Sequence, residues 1–62
     1  MTNELENQHP DFKVIPLSDG YEIWLIDVKN GALLEAFGKY KRFEKAEESA
    51  YRFQQWLEAE RW

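Results

Sequence analysis

The run Tyr21-Glu22-Ile23-Trp24-Leu25-Ile26-Asp27-Val28 constrains this chain more than any other segment. Its β-branched and aromatic side chains predict a strand. Successive side chains of a strand point to opposite faces, so Tyr21, Ile23 and Leu25 share one side and Glu22, Trp24, Ile26 and Val28 the other. A strand that lines a core on one side only alternates apolar with polar residues. Here both sides are apolar, so each needs a cover.

The flanking segments supply one cover. Phe12 to Leu17 reads Phe-Lys-Val-Ile-Pro-Leu and predicts a first strand. Pro16 has no N–H to give a ladder, which places that strand at an edge or gives it a bulged end. Ser18-Asp19-Gly20 is a turn, since Asp can bond its own backbone and Gly accepts positive φ. Lys29-Asn30-Gly31 predicts a second hairpin, because Asn and Gly both tolerate φ > 0. The third strand runs from Ala32 to about Tyr40. Strict alternation puts Leu33, Glu35, Phe37 and Lys39 on one side and Leu34, Ala36, Gly38 and Tyr40 on the other. Gly38 marks a bulge or a close approach of another backbone.

From about Glu44 to Glu60 the period becomes helical. Ala46, Ala50, Phe53 and Leu57 recur at spacings of four, three and four, which makes one stripe. Glu44, Glu47 and Glu48 crowd the first turns and Arg61 stands at the end, both favoured by the helix dipole. No Ser, Thr, Asp or Asn occupies the expected N-cap near Phe43. The order β-β-β-α predicts an α+β fold: a three-stranded antiparallel meander in spatial order 1-2-3, with one C-terminal helix packed on one face. Residues 1–11 are polar, aperiodic and contain Pro10, and read as a flexible arm with Leu5 as its aliphatic anchor. Residues 12–62 form the single small domain.

Size and composition narrow the function. A chain of 62 residues buries only roughly 60% of its unfolded surface, so small domains lean on disulfides, metals or oligomerisation. There is no cysteine, and the single histidine, His9, has no companions at metal-ligand spacing. No cofactor is expected. Three Trp, three Tyr and four Phe carry a large apolar load and argue for a folded domain. No apolar run approaches the roughly 18 residues that span a bilayer, and residues 1–8 lack the basic and apolar regions of a signal peptide. A soluble cytoplasmic protein without membrane contact is the expectation.

Enzyme chemistry finds little footing. Glu22 and Asp27 lie on opposite sides of one strand, and Glu44, Glu47 and Glu48 are explained by the helix dipole. There is no nucleophile-base set around His9 and no glycine-rich phosphate loop. A non-enzymatic protein is therefore expected.

Two binding readings remain. The first places Trp24, Ile26, Leu34 and Ala36 under the helix, where small Ala36 and Gly38 give it room. The opposite face then carries Tyr21, Ile23, Leu25, Leu33 and Phe37 as a partner-binding patch, rimmed by Glu35 and Lys39. Its simplest occupant is a second copy of the chain, giving a homodimer, or another protein. An accessory or inhibitory factor, of the kind phages and mobile elements encode, fits this design. The second reading uses Lys39, Tyr40, Lys41, Arg42 and Lys45, where cations interleave with aromatics in an otherwise acidic chain of net charge −4. Such a segment can grip phosphates and stack bases. The strand and helix order is also similar to the broad layout of some DNA-binding arms of integrases. The departure is a sheet that mixes Lys13 and Lys29 with Glu22, Asp27 and Glu35.

Overall fold

A computed structural model describes residues 9–61 of the chain. Strands β1 (Phe12–Leu17), β2 (Gly20–Ile26) and β3 (Leu33–Tyr40) are followed by helix α1 (Phe43–Arg61). The strands form one antiparallel sheet in the order β1-β2-β3, with β2 central, and α1 packs on one face. The fold is the α+β meander-plus-helix that the periodicities imply.

Local chemistry explains the turns. Ser18 and Asp19 link Leu17 to Gly20, which pair across the first hairpin. Gly20 has φ of 153°, and a Cβ there would lie 2.5 Å from the backbone oxygen of Tyr40. Only glycine fits both conditions. The second connection differs from the expected two-residue Asn-Gly turn. Asn30 does not adopt positive φ; Gly31 alone does, at 75°. Asp27 organises a wider loop instead. Its carbonyl accepts from the Gly31 N–H at 2.6 Å, its carboxylate from the Lys29 N–H at 2.9 Å, and its own N–H donates to the Ala32 carbonyl at 2.9 Å. A carboxylate that bonds the backbone two residues on competes directly with the tighter turn.

Pro16 lies on the edge strand β1, where a residue without an N–H is tolerated. Between β1 and β2 the register runs unbroken from Phe12 opposite Leu25 to Leu17 opposite Gly20. Between β2 and β3 it shifts twice. Ile23 opposes Gly38 but Trp24 opposes Ala36, which leaves Phe37 extra. Leu25 opposes Glu35 but Ile26 opposes Leu33, which leaves Leu34 extra. Bulges re-aim side chains. Phe37 and Tyr40, assigned to opposite sides by strict alternation, both pack against the core.

The core lies between the sheet and α1. Phe12, Ile23, Ala46 and Ala50 are buried, and Val14, Tyr21, Leu25, Phe37, Tyr40, Phe53 and Leu57 pack around them. Fully burying a side chain such as Ile23 or Phe12 contributes about 1.5–3 kcal/mol. Phe12, Phe37 and Phe53 form a triangle of rings with centroids 5.1, 5.8 and 5.3 Å apart. The small side chains of Ala46 and Ala50 let the helix lie close to the sheet. Its start lacks a polar cap; the Phe43 ring, edge-on to Tyr21 at 5.4 Å, ties the first turn to β2.

This arrangement corrects the face expected under the helix. Tyr21, Ile23, Leu25 and Phe37 lie beneath α1, while Trp24, Ile26, Leu34 and Ala36 face away from it. Charge explains the choice. The outward face also carries Lys13, Glu22 and Lys39, and a helix laid there would strip water from all three. The helix-side face is apolar except at Glu35, which is exposed on the edge strand. Residues 9–11 are a second correction. They read as part of a flexible arm, yet His9 and Asp11 are 3% and 7% exposed and bonded to α1. The rest of that arm, Leu5 included, and Trp62 lie outside the described residues.

Candidate functional site

The outward sheet face is the first candidate. Alternation and register place Ile15 and Leu17 of β1, Glu22, Trp24 and Ile26 of β2, and Leu33, Leu34, Ala36 and Lys39 of β3 on it. Leu33 and Leu34 are 48% and 57% exposed, and Val28, just beyond β2, is 62% exposed. No other described element lies over this face. The apolar side chains concentrate around Trp24, Ile26, Leu33 and Leu34. Charges of both signs cross its other half: Lys39 opposes Glu22, and Lys13 opposes Trp24. The indole N–H of Trp24 donates to Glu22 Oε1 at 2.7 Å. That bond holds the ring along its own strand and satisfies its polar end, leaving an apolar surface available for packing.

The patch read from the sequence is thus divided. Tyr21, Ile23, Leu25 and Phe37 serve the core, and Leu33 alone of that set lies on the open face. The basic segment is divided as well. Lys39, Lys41, Arg42 and Lys45 are exposed, while the half-buried Tyr40 packs against the core and borders a surface hollow with Lys39 and Lys41. Arg42 also stands 3.9 Å from Glu44.

The second candidate was not legible as a site. His9 Nδ1–H donates to the Phe12 carbonyl at 3.1 Å, and His9 Nε2–H donates to Glu47 Oε2 at 2.9 Å. Both nitrogens face acceptors, an arrangement that only the protonated ring satisfies at both ends. The His9 and Glu47 side chains are 4% and 5% exposed. Burial pushes the His9 pKa down, but the Glu47 hydrogen bond, the Phe12 carbonyl and the charge of Glu47 outweigh it and raise the value above 6.5. Beside this pair, Gln54 accepts from the Asp11 N–H at 2.8 Å and donates to the Asp11 carboxylate at 2.7 Å, and Arg61 approaches that carboxylate at 3.3 Å. Among the described residues no buried side-chain polar atom lacks a partner. His9 bonds a carbonyl and a carboxylate rather than a hydroxyl or thiol.

Among the described residues, no three His, Asp or Glu side chains group closely enough to hold a metal ion. No described helix is long and apolar enough to cross a membrane. Comparison with protein-family models, with curated proteins and with solved structures finds nothing that matches this chain.

Proposed function

We propose that this protein acts by binding, as a small non-enzymatic accessory or inhibitory interaction protein, and that it pairs with a second copy of itself through the outward sheet face. The observation that carries this reading is the group of exposed Leu33 and Leu34 with half-buried Trp24 and Ile26, on a sheet whose other face is already covered by α1. Contiguous exposed apolar patches mark interfaces. Two features favour a copy of the same chain. The buried apolar core is small: among the described residues, Phe12 and Ile23 are its only large buried side chains. The face also carries charges of both signs, Lys13 and Lys39 with Glu22, so a two-fold operation can set cations of one copy near the anion of the other. Two such faces would stack about 10 Å apart, as sheets do.

Sedimentation equilibrium at micromolar concentration tests this. The expected mass is twice the 7.5 kDa of one chain. Leu34→Lys, at a position 57% exposed, should give a folded monomer. Leu25→Lys should instead unfold the chain, because Leu25 packs beneath the helix. A 7.5 kDa species at all concentrations, with Leu34→Lys equally stable, removes the homodimer reading. Binding to a nucleic acid that weakens steeply with salt and is lost with Lys41→Glu and Arg42→Glu would favour the basic segment instead.

A further inference from the structure

Residues 9–11 cross from the sheet to the helix, and apart from the His9–Phe12 bond their described side-chain bonds go to distant partners. Glu47 is 38 positions from His9, and Gln54 is 43 positions from Asp11. The crossing continues into the backbone. The Phe12 N–H donates to the His9 carbonyl at 3.1 Å, and the Ile26 N–H donates to the Asp11 carbonyl at 2.8 Å. Beneath it lies a hollow of about 380 Å³ between β1 and α1, lined by His9, Phe12, Val14, Ile26, Phe43 and Glu47.

We propose that His9 and Glu47 form a proton-operated clasp: the protonated ring locks residues 9–11 onto α1, and loss of its proton frees them and opens the apolar hollow beneath. The geometry supplies the mechanism. A neutral imidazole keeps one N–H. If that proton stays on Nδ1 for the Phe12 carbonyl, the Nε2 lone pair faces Glu47 Oε2 at 2.9 Å, two acceptors in contact. If it moves to Nε2, the Phe12 carbonyl loses its donor. Either tautomer leaves a buried acceptor unpaired, which is costly.

The charged groups around the ring do not relieve this. Glu47 comes from α1, and Lys13 of β1 lines the same hollow. Asp11 lies two residues along and is engaged by Gln54 and Arg61. Toward β2 the hollow meets only Ile26. Glu47 is therefore the group that answers to the state of His9. The raised His9 pKa agrees with a closed form that prefers the proton. The hollow shares Lys13 and Ile26 with the outward face, but His9 and Glu47 lie off it, so exchange measured in the Leu34→Lys variant separates the clasp from the dimer.

His9 is the only histidine in the chain, so its ring gives one unambiguous NMR titration. Hydrogen exchange of the full chain, corrected at each pH for the intrinsic rate, reads the opening. The expected ring pKa lies above 6.5. From pH 6.5 up to that value, protection of the Asp11, Phe12 and Ile26 amides should fall, by at most about tenfold per pH unit. The mid-helix Phe53 amide should stay better protected than these three at every pH, since it exchanges only when the whole domain opens. His9→Gln should keep those three amides weakly protected at every pH. Should His9→Gln fail to fold, Glu47→Gln serves: the ring should titrate lower, and the fall in protection should begin at lower pH. Protection that is flat with pH, protection at the three amides equal to that at Phe53, or a ring titration unmoved by Glu47→Gln overturns the clasp.

Discussion

Gln54 holds Asp11 at two points, accepting from its backbone N–H at 2.8 Å and donating to its carboxylate at 2.7 Å. The Asp11 carbonyl in turn accepts from Ile26 on β2. One pair of residues therefore joins the middle of α1, the entry to β1 and the end of the central strand. Gln54 is 1% exposed, so water does not replace its bonds readily. Gln54→Leu keeps much of the volume but leaves the Asp11 N–H and one carboxylate oxygen without this partner. The expected loss is about 2–4 kcal/mol, read by urea denaturation. A loss within experimental error would mean that Asp11 finds other partners.

Stability should fall as pH rises above 6.5. The folded His9 binds its proton more tightly than the unfolded one, whose value is near 6.5. Its contribution is complete below that pH and is lost as pH rises through the folded value, where the folded state carries the extra proton. The slope cannot exceed about 1.4 kcal/mol per pH unit for one group. Denaturation midpoints measured from pH 5 upward, in the parent and in His9→Gln, check this on the whole-domain scale. The variant should lack the decline.

Phe12 is the aromatic side chain on which the core turns. It is 3% exposed and touches both Phe37 and Phe53. Phe12→Ala should cost about 3–5 kcal/mol, enough to unfold most domains of this size. Phe53→Ala should cost less, since Phe53 is only half-buried. Thermal melts of the two variants give the order, and the reverse order would place the centre of the core nearer the helix end.

Gly20→Ala should destabilise although it removes no contact. An alanine Cβ would press on the Tyr40 backbone oxygen, and a φ of 153° is strained for any L side chain. Strain of that kind costs about 1–3 kcal/mol before the clash is added. Gly31→Ala, at φ of 75° with open space around it, should cost less because only the φ strain remains. Comparing the two variants by chemical denaturation separates clash from strain.

What the sequence determined by itself is the part of the structure encoded in short-range periodicity. The alternation of Tyr21–Ile26, the four-three-four spacing of Ala46, Ala50, Phe53 and Leu57, and the turn residues at 18–20 specify each element through neighbours a few positions apart. Short connections then fix the order β1-β2-β3. Gly38, read as a sign of a bulge, is itself paired with Ile23 and neighbours one of the two bulges, that at Phe37. Tertiary structure alone decided which face the helix covers. Alternation carries parity along a strand only until an extra residue resets it, and β3 has two, at Leu34 and Phe37. The gathering of Lys13, Glu22 and Lys39 on one side becomes visible only once the strands are paired. The clasp was illegible for the same reason. His9 meets Glu47, and Asp11 meets Gln54, across about forty residues, and no local pattern of residue types records a hydrogen bond that chain folding alone brings within 3 Å.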